Sequence, residues 1–296
     1  MKIYDCFMYF DEELVLDVRL NTLNEFVDYF IIVESKFTHK GDKRELRFNH
    51  KKFYKFKDKI IYLIDDQIYS KTEEIKLEDS EEEQSRKYIF NAAYRENGQR
   101  NLIMKGLDKA ENDDLILISD VDEIPKISHL NLKEINEKII LFKQDMFYYK
   151  FNLHLPNLIW TGTKGCKKKY LLSPQWLRNI KDRKYPFFRL DIFFSKTKYS
   201  DVKIIDDGGW HFSNIKTSME IKHKLRSYLH HREFDANPLS TDEIDKLIEN
   251  KQAIYDLTVD KTTNKIGNGS ILEKFEINKL PNYIQINQNN FKEWID

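Results

Sequence analysis

Apolar positions along the chain change their period several times, and each change marks an element. Ile3 to Phe10 is a nearly continuous apolar run that reads as a first strand, and beyond it Leu14, Val15, Val18, Leu23, Phe26 and Val27 recur at helical spacing. Tyr29 to Val33, in DYFIIVES, is a second short run ending in Glu34. Lys59 to Ile64, in KIIYLIDD, ends the same way in Asp65 and Asp66, and Leu115 to Ile118, in LILISDVDEIP, runs into Asp120, Asp122 and Glu123. Runs without polar alternation suit strands covered on both faces, the usual state of a parallel sheet flanked by helices. Helical stretches separate them, notably Glu83 to Leu107. The order is therefore βαβ, and an α/β fold with a largely parallel sheet is expected.

Ile139 to Tyr149 is strand-like and aromatic, and Thr241 to Tyr255 reads as a late helix capped by Thr241 with Glu243 behind it. KTEEIKLEDSEEEQ, Lys71 to Gln84, is a solvated loop leading into a helix. No internal repeat or low-complexity linker divides the chain. The expected organisation is an α/β domain over 1–234 and a helical extension over 235–296 packed on it. The 296 residues, 41% hydrophobic, can build a core of that size. Lys plus Arg and Asp plus Glu are both 49, so no global field attracts nucleic acid or an anionic membrane. Cys6 and Cys166 cannot make a disulfide framework. The N-terminus lacks a basic stretch followed by a long apolar core, and no 18-residue apolar run occurs, so a cytoplasmic protein without a membrane anchor is expected.

Candidate chemistry gathers where the strands end. Ionised carboxylates cannot follow an apolar strand inside unpaired, so Asp120 and Asp122 should emerge at its carboxyl end, where open α/β sheets bind ligands. Two apart in extended backbone, they lie on one face about 6.5 to 7 Å apart, a gap that a turn closes around one cation. Oxygen ligands select hard ions such as Mg²⁺ or Mn²⁺. The D-x-D triplet alone is a weak signal, because such pairs are common on surfaces and at helix N-caps. In the preceding helix, Ile89, Ala93, Ile103 and Leu107 mark an apolar stripe on which Arg100 also falls. An arginine there is either salt-bridged or holds a phosphate or carboxylate at the crevice. Downstream, DDGGWHF, Asp206 to Phe212, pairs acids and adjacent glycines with His211, either a ligand or a satisfied structural histidine; such glycines permit a close approach to a ligand. KGCKKKY, Lys164 to Tyr170, reads as a solvated turn.

YDCFMYFDEELVLDVRLNTLNEFVDYFIIVES, THKG at Thr38 to Gly41, QRN at Gln99 to Asn101, SDVDEIP, WTGT at Trp160 to Thr163, GGWHFS at Gly208 to Ser213 and HREF at His231 to Phe234 come in this order. Together they resemble glycosyltransferase family 17, the family of the β-1,4-mannosyl-glycoprotein 4-β-N-acetylglucosaminyltransferases. The resemblance spans about Ile3 to Phe234. It implies a GT-A-type nucleotide-sugar fold, UDP-N-acetylglucosamine as donor, a glycan hydroxyl as acceptor and a divalent ion, usually Mn²⁺ (or Mg²⁺). By position it implies that Asp120 and Asp122 bind metal and diphosphate, with His211 a further metal ligand. Glu34, Thr38 and His39 then fall where the first nucleotide-binding loop lies, and Arg100 meets the donor. The family's inverting stereochemistry needs one catalytic base, for which Asp207 and Glu233 are candidates. The chain departs from the animal members in having no N-terminal anchor and in carrying Phe212 where they often have Cys. A glycoside hydrolase or an inactive carbohydrate-binding protein would use the same carboxylates or aromatics without a nucleotide.

Overall fold

Four parallel strands make the N-terminal half of one sheet. They are β1 (Ile3–Tyr9), β2 (Tyr29–Ser35), β3 (Ile60–Asp65) and β4 (Leu115–Asp120), in the spatial order β3-β2-β1-β4. Helix α1 (Glu13–Leu23) joins the first two strands, and α2 (Glu81–Asn101) with the short α3 (Ile103–Gly106) leads into β4. The computed structural model describes residues 1–228, 234–235, 237–255, 266–267 and 269–296. Both faces of the strands are covered, as their unbroken apolar runs require. Phe7, Ile32 and Leu117 pack with Leu16 and Leu20 of α1 on one side; Cys6, Ile31 and Ile118 pack with Ile103 and Leu107 on the other.

The second half corrects the expectation of a largely parallel sheet. Strand β6 (Ile139–Tyr148) turns directly into β7 (Leu153–Lys167) through Tyr149, whose φ is +63°, and the two pair antiparallel. A turn this short leaves no room for the crossover helix that parallel pairing needs. β7 then pairs antiparallel with β4, and β5 (Glu123–Pro125), β8 (Val202–Ile205), β9 (Gly209–Ser213) and β10 (Glu273–Lys274) complete a mixed, ten-stranded sheet. KGCKKKY is accordingly not a solvated turn: Lys164 and Cys166 are buried on β7.

Two helix readings also shift. The stretch from 83 to 107 is interrupted at Leu102, and Ile89 is half exposed; the buried residues of α2 are Lys87, Asn91, Ala92, Gln99 and Arg100. That face is polar because it hydrogen-bonds backbone and charged groups: Asn91 brackets the backbone of Glu73, and Gln99 donates to the Val33 carbonyl of β2. The late helix runs Thr241–Glu249, and its cap is Ser240, whose hydroxyl accepts from the Glu243 N–H while the Glu243 carboxylate accepts from the Ser240 N–H. Beyond it, Leu280, Ile284 and Phe291 join the core that holds Phe7 and Phe151. Among the described residues, no helix is long and apolar enough to cross a membrane.

Candidate functional site

The strand order β3-β2-β1-β4 places the direction change between β1 and β4, and the carboxyl ends there open into a cavity of about 380 Å³. Tyr9 at the end of β1 with Phe10 and Glu12 beyond it, Ser35 of β2, and Asp120 to Glu123 from the end of β4 line it. His211 of β9, Trp160 of β7 and Lys224 of the helix Ser218–Ser227 close the other side.

The turn carrying the carboxylates rests on a buried arginine. Arg19 of α1 is fully buried and donates through Nη1 to the carbonyls of Asp120, Val121 and Glu123 at 3.0, 3.1 and 2.9 Å. Because β4 ends at Asp120, the two aspartates do not share an extended face, and each meets different partners. Asp120 accepts from Arg100 Nη2 at 3.1 Å and from Arg178 Nη2 at 3.0 Å. Arg178 lies on α4 (Pro174–Asn179) and also grips Glu123, at 2.7 and 3.1 Å. Burial opposes ionisation of Asp120, but Arg178 and Arg100 outweigh it and hold the carboxyl below its usual range. Asp122 faces His211 Nε2 at 3.6 Å and Lys224 Nζ at 3.5 Å. Burial again opposes the charge, and Lys224 and His211 again prevail, so Asp122 stays ionised. The same Lys224 stands 3.7 Å from Glu12. Burial disfavours the Glu12 charge too, and Lys216 and Lys224 reverse the balance.

Glu123 is not aimed outward as its place in the sequence suggested. It is 1% exposed and accepts from Trp160 Nε1 at 2.7 Å and from the Asp120 N–H at 2.8 Å. This network draws together the WTGT, SDVDEIP and GGWHFS segments: His211 pairs across from Glu123 in the β5–β9 ladder, and its ring lies 5.4 Å from that of Trp160. The QRN segment enters through Arg100, which also binds Glu96 and Gln175, and through Gln99, which meets His39 Nε2 at 3.0 Å. His39, Glu96 and Gln99 line the cavity.

Other expected residues fall elsewhere. Glu34 is fully buried and accepts from Arg44, the Arg47 and Phe48 N–H groups and the Tyr62 hydroxyl. It anchors the loop after β2 and thereby Arg44, which does reach the cavity. Thr38 is spent within that loop, its hydroxyl accepting from the Gly41 and Asp42 N–H groups. Arg100 is 3% exposed and is not among the cavity-lining residues; its partners are carboxylates and an amide of the protein itself. Asp207 is largely exposed and paired with Lys126, four residues before His211, roughly 13 Å along an extended chain, and does not line the cavity. Glu233 lies outside the described residues. The adjacent glycines approach backbone rather than ligand: a Cβ on Gly209, whose φ is +127°, would lie 2.1 Å from the Ile124 carbonyl oxygen.

Asp122 and His211 are the two expected metal ligands that come together. Among the described residues, no group of three such side chains stands close enough to hold an ion unaided. Hard divalent ions commonly bind through one or two carboxylates and complete their shell with substrate phosphates and water, so an Asp122–His211 pair fits an ion shared with a diphosphate. Asp120, clamped by two guanidinium groups, is less free to turn toward it. Sequence reading missed Arg19, Arg178, Lys224 and Glu12. For α4 a start signal was present, Ser173 before Pro174, and Ser173 does cap the helix that carries Arg178.

A parallel block opening on a carboxylate-rich crevice defines an α/β protein with a polar ligand site at its switch point. The family model of glycosyltransferase family 17 matches residues 1–295, essentially the whole chain, and the protein belongs to that family. It is a glycosyltransferase, which requires a sugar donor and an acceptor. Among curated proteins none matches the chain.

Proposed function

We propose that the protein transfers N-acetylglucosamine from UDP-N-acetylglucosamine to a glycan hydroxyl with inversion, on a GT-A-type frame and with Mn²⁺ or Mg²⁺ at Asp122 and His211. The observation that carries this reading is Asp122 beside His211 and Lys224 at the mouth of β4. An ion bound there would supply charge neutralisation to the leaving diphosphate. The chain's own residues do the rest. Lys224, and Arg44 held by Glu34, line the cavity with cationic side chains that would face the negative charge growing on the leaving diphosphate. Arg178 and Arg100 fix Asp120 and Glu123, and with them the turn that presents Asp122. His39 and Gln99 offer polar contacts at the β2 side, where the uridine would lie.

In a single displacement the bond from the sugar's anomeric carbon to the diphosphate oxygen breaks as the acceptor oxygen bonds to that carbon. The acceptor proton passes to a carboxylate, and UDP leaves with the electron pair. Asp120 and Glu123 are tied by arginines and Glu96 by Arg100; Glu12 lines the cavity with one carboxylate oxygen held by the Phe10 and Asp11 N–H groups and the other 3.7 Å from Lys224 Nζ, with no arginine on it among the described residues. Glu12 is the base we assign, with Glu233 its rival. Calorimetric titration of UDP with and without Mn²⁺ tests the donor reading: metal-dependent binding is expected, and no UDP binding in either condition would overturn it. Glu12→Gln should abolish turnover with UDP affinity retained; if Glu233→Gln does so instead, the base is Glu233.

A further inference from the structure

The segment between α4 and β8 presents an unusually apolar exposed surface among the described residues. It leaves the body and returns within 181–199: the Lys181 N–H donates to the Thr197 carbonyl at 2.8 Å and the Tyr185 N–H to that of Tyr199 at 2.9 Å. Trp176 Nε1 donates to the Lys196 carbonyl at 2.7 Å, so the base of the loop is fixed. Tyr185 is buried there, with Arg189 and Lys198 near its ring. Outside this base, Phe187, Phe188, Leu190, Phe193 and Phe194 are 71 to 91% exposed. Soluble proteins rarely leave so many adjacent aromatic side chains in water without a partner.

The charge around them decides what that partner is. From Lys181 to Lys198 there are six basic residues and two acidic ones, Asp182 and Asp191, a net of +4 in a chain whose total is zero. Asp191 is already neutralised inside the loop by Arg189 and Lys198, both at 2.8 Å. Two such loops facing each other would repel, so a second copy of the chain is disfavoured. Aromatic side chains ringed by lysine and arginine match an anionic lipid surface, where the rings enter the headgroup boundary and the cations meet lipid phosphates.

We propose that this loop docks the protein on an anionic membrane surface through Phe187, Phe188, Phe193 and Phe194, with Arg183, Lys184 and Lys196 contacting the headgroups. Docking there would hold the cavity close to the bilayer, since Arg178, three residues before Lys181, binds Asp120.

The test is co-sedimentation of the full-length protein with phosphatidylcholine vesicles, with and without phosphatidylserine. Binding is expected only with phosphatidylserine and should weaken with salt. Phe187→Ser/Phe193→Ser/Phe194→Ser should lower the bound fraction by roughly tenfold with an unchanged melting temperature, since these rings touch solvent. Should that variant misfold, Arg183→Gln/Lys184→Gln decides in its place, with a smaller loss expected. No binding to phosphatidylserine vesicles, or equal binding by parent and variants, would overturn the proposal. So would a dimer in sedimentation velocity that the Phe substitutions abolish while vesicles are ignored.

Discussion

Arg19 donates through Nε and Nη2 to the two carboxylate oxygens of Asp5, at 2.8 and 2.6 Å, with neither side chain exposed. The pair sits beneath the site, and the remaining Arg19 nitrogen holds the carbonyls of the turn that presents Asp122. Breaking a buried pair by removing one partner strands the other charge and costs about 3–5 kcal/mol. Arg19→Met should therefore unfold at markedly lower denaturant. Replacing both partners removes the stranded charge, so Asp5→Leu/Arg19→Met should recover much of that stability. It should not recover turnover, because three carbonyls still lack their donor. Equal recovery of both in denaturation and transfer assays would show that the arginine serves folding alone.

Asp122→Asn separates the site from the core in a second way. The carboxylate touches Lys224 and His211 at 3.5 and 3.6 Å and packs in no apolar cluster. Losing it leaves a partly buried ammonium with Glu12 at 3.7 Å and Asp11 beyond it, a cost of about 1–3 kcal/mol. Transfer should fall by about 100-fold or more, because the developing diphosphate charge loses its organised surroundings. Melting curves and donor turnover measured on the same preparation should diverge accordingly; a loss of activity no larger than the loss of folded protein would make Asp122 structural.

How much of this could be read from the chain follows from what carried each signal. β1, β2 and β4 were legible because burial on both faces leaves continuous apolar runs, and Asp122 and His211 because strand ends and adjacent glycines punctuate the pattern. Arg19 was not, since a buried cation inside an apolar helix looks like any polar interruption until Asp5 of a neighbouring strand is placed beside it. Arg178 failed for a related reason: its partners Asp120 and Glu123 are more than fifty residues away. The α2 stripe misled because that helix buries Asn91, Gln99 and Arg100 in hydrogen bonds to backbone and charged groups, so that polarity rather than hydrophobicity marks its inner face. The β6–β7 hairpin depends on a positive φ at Tyr149, a position that the sequence fills with neither glycine nor asparagine.

Lys164 should give the fold a distinctive pH dependence. It is 6% exposed on β7, donates to the Arg178 and Ile180 carbonyls at 2.7 and 2.5 Å, and has its pKa pulled from 10.5 to about 8 by burial first and by Arg178 second. With the folded value below the unfolded one, the unfolded chain binds more protons between those limits. Stability attributable to Lys164 should thus rise with pH across about 8 to 10.5, by at most about 3 kcal/mol. Lys164→Met should be flatter over that window. Denaturation midpoints for parent and variant that stay parallel across it would show that Lys164 is not buried as described.

His211 tests the proposed ion most directly. Its Nε2 faces Asp122 at 3.6 Å, longer than a hydrogen bond, and its Nδ1 is buried without a partner among the described residues. Two ligand atoms this far apart can share a cation at ordinary hard-ion distances of about 2.1 Å, and the orphaned Nδ1 is not explained by an ion at Nε2. His211→Ala should weaken Mn²⁺-dependent UDP binding by about 10 to 100-fold while leaving metal-free binding of UDP near that of the parent. His211→Gln keeps a polar group but no ring nitrogen and should rescue stability more than the metal effect. If His211→Ala instead binds UDP and Mn²⁺ as the parent does and only melts lower, the histidine packs against Trp160 for structure, and any ion rests on Asp122, the donor and water.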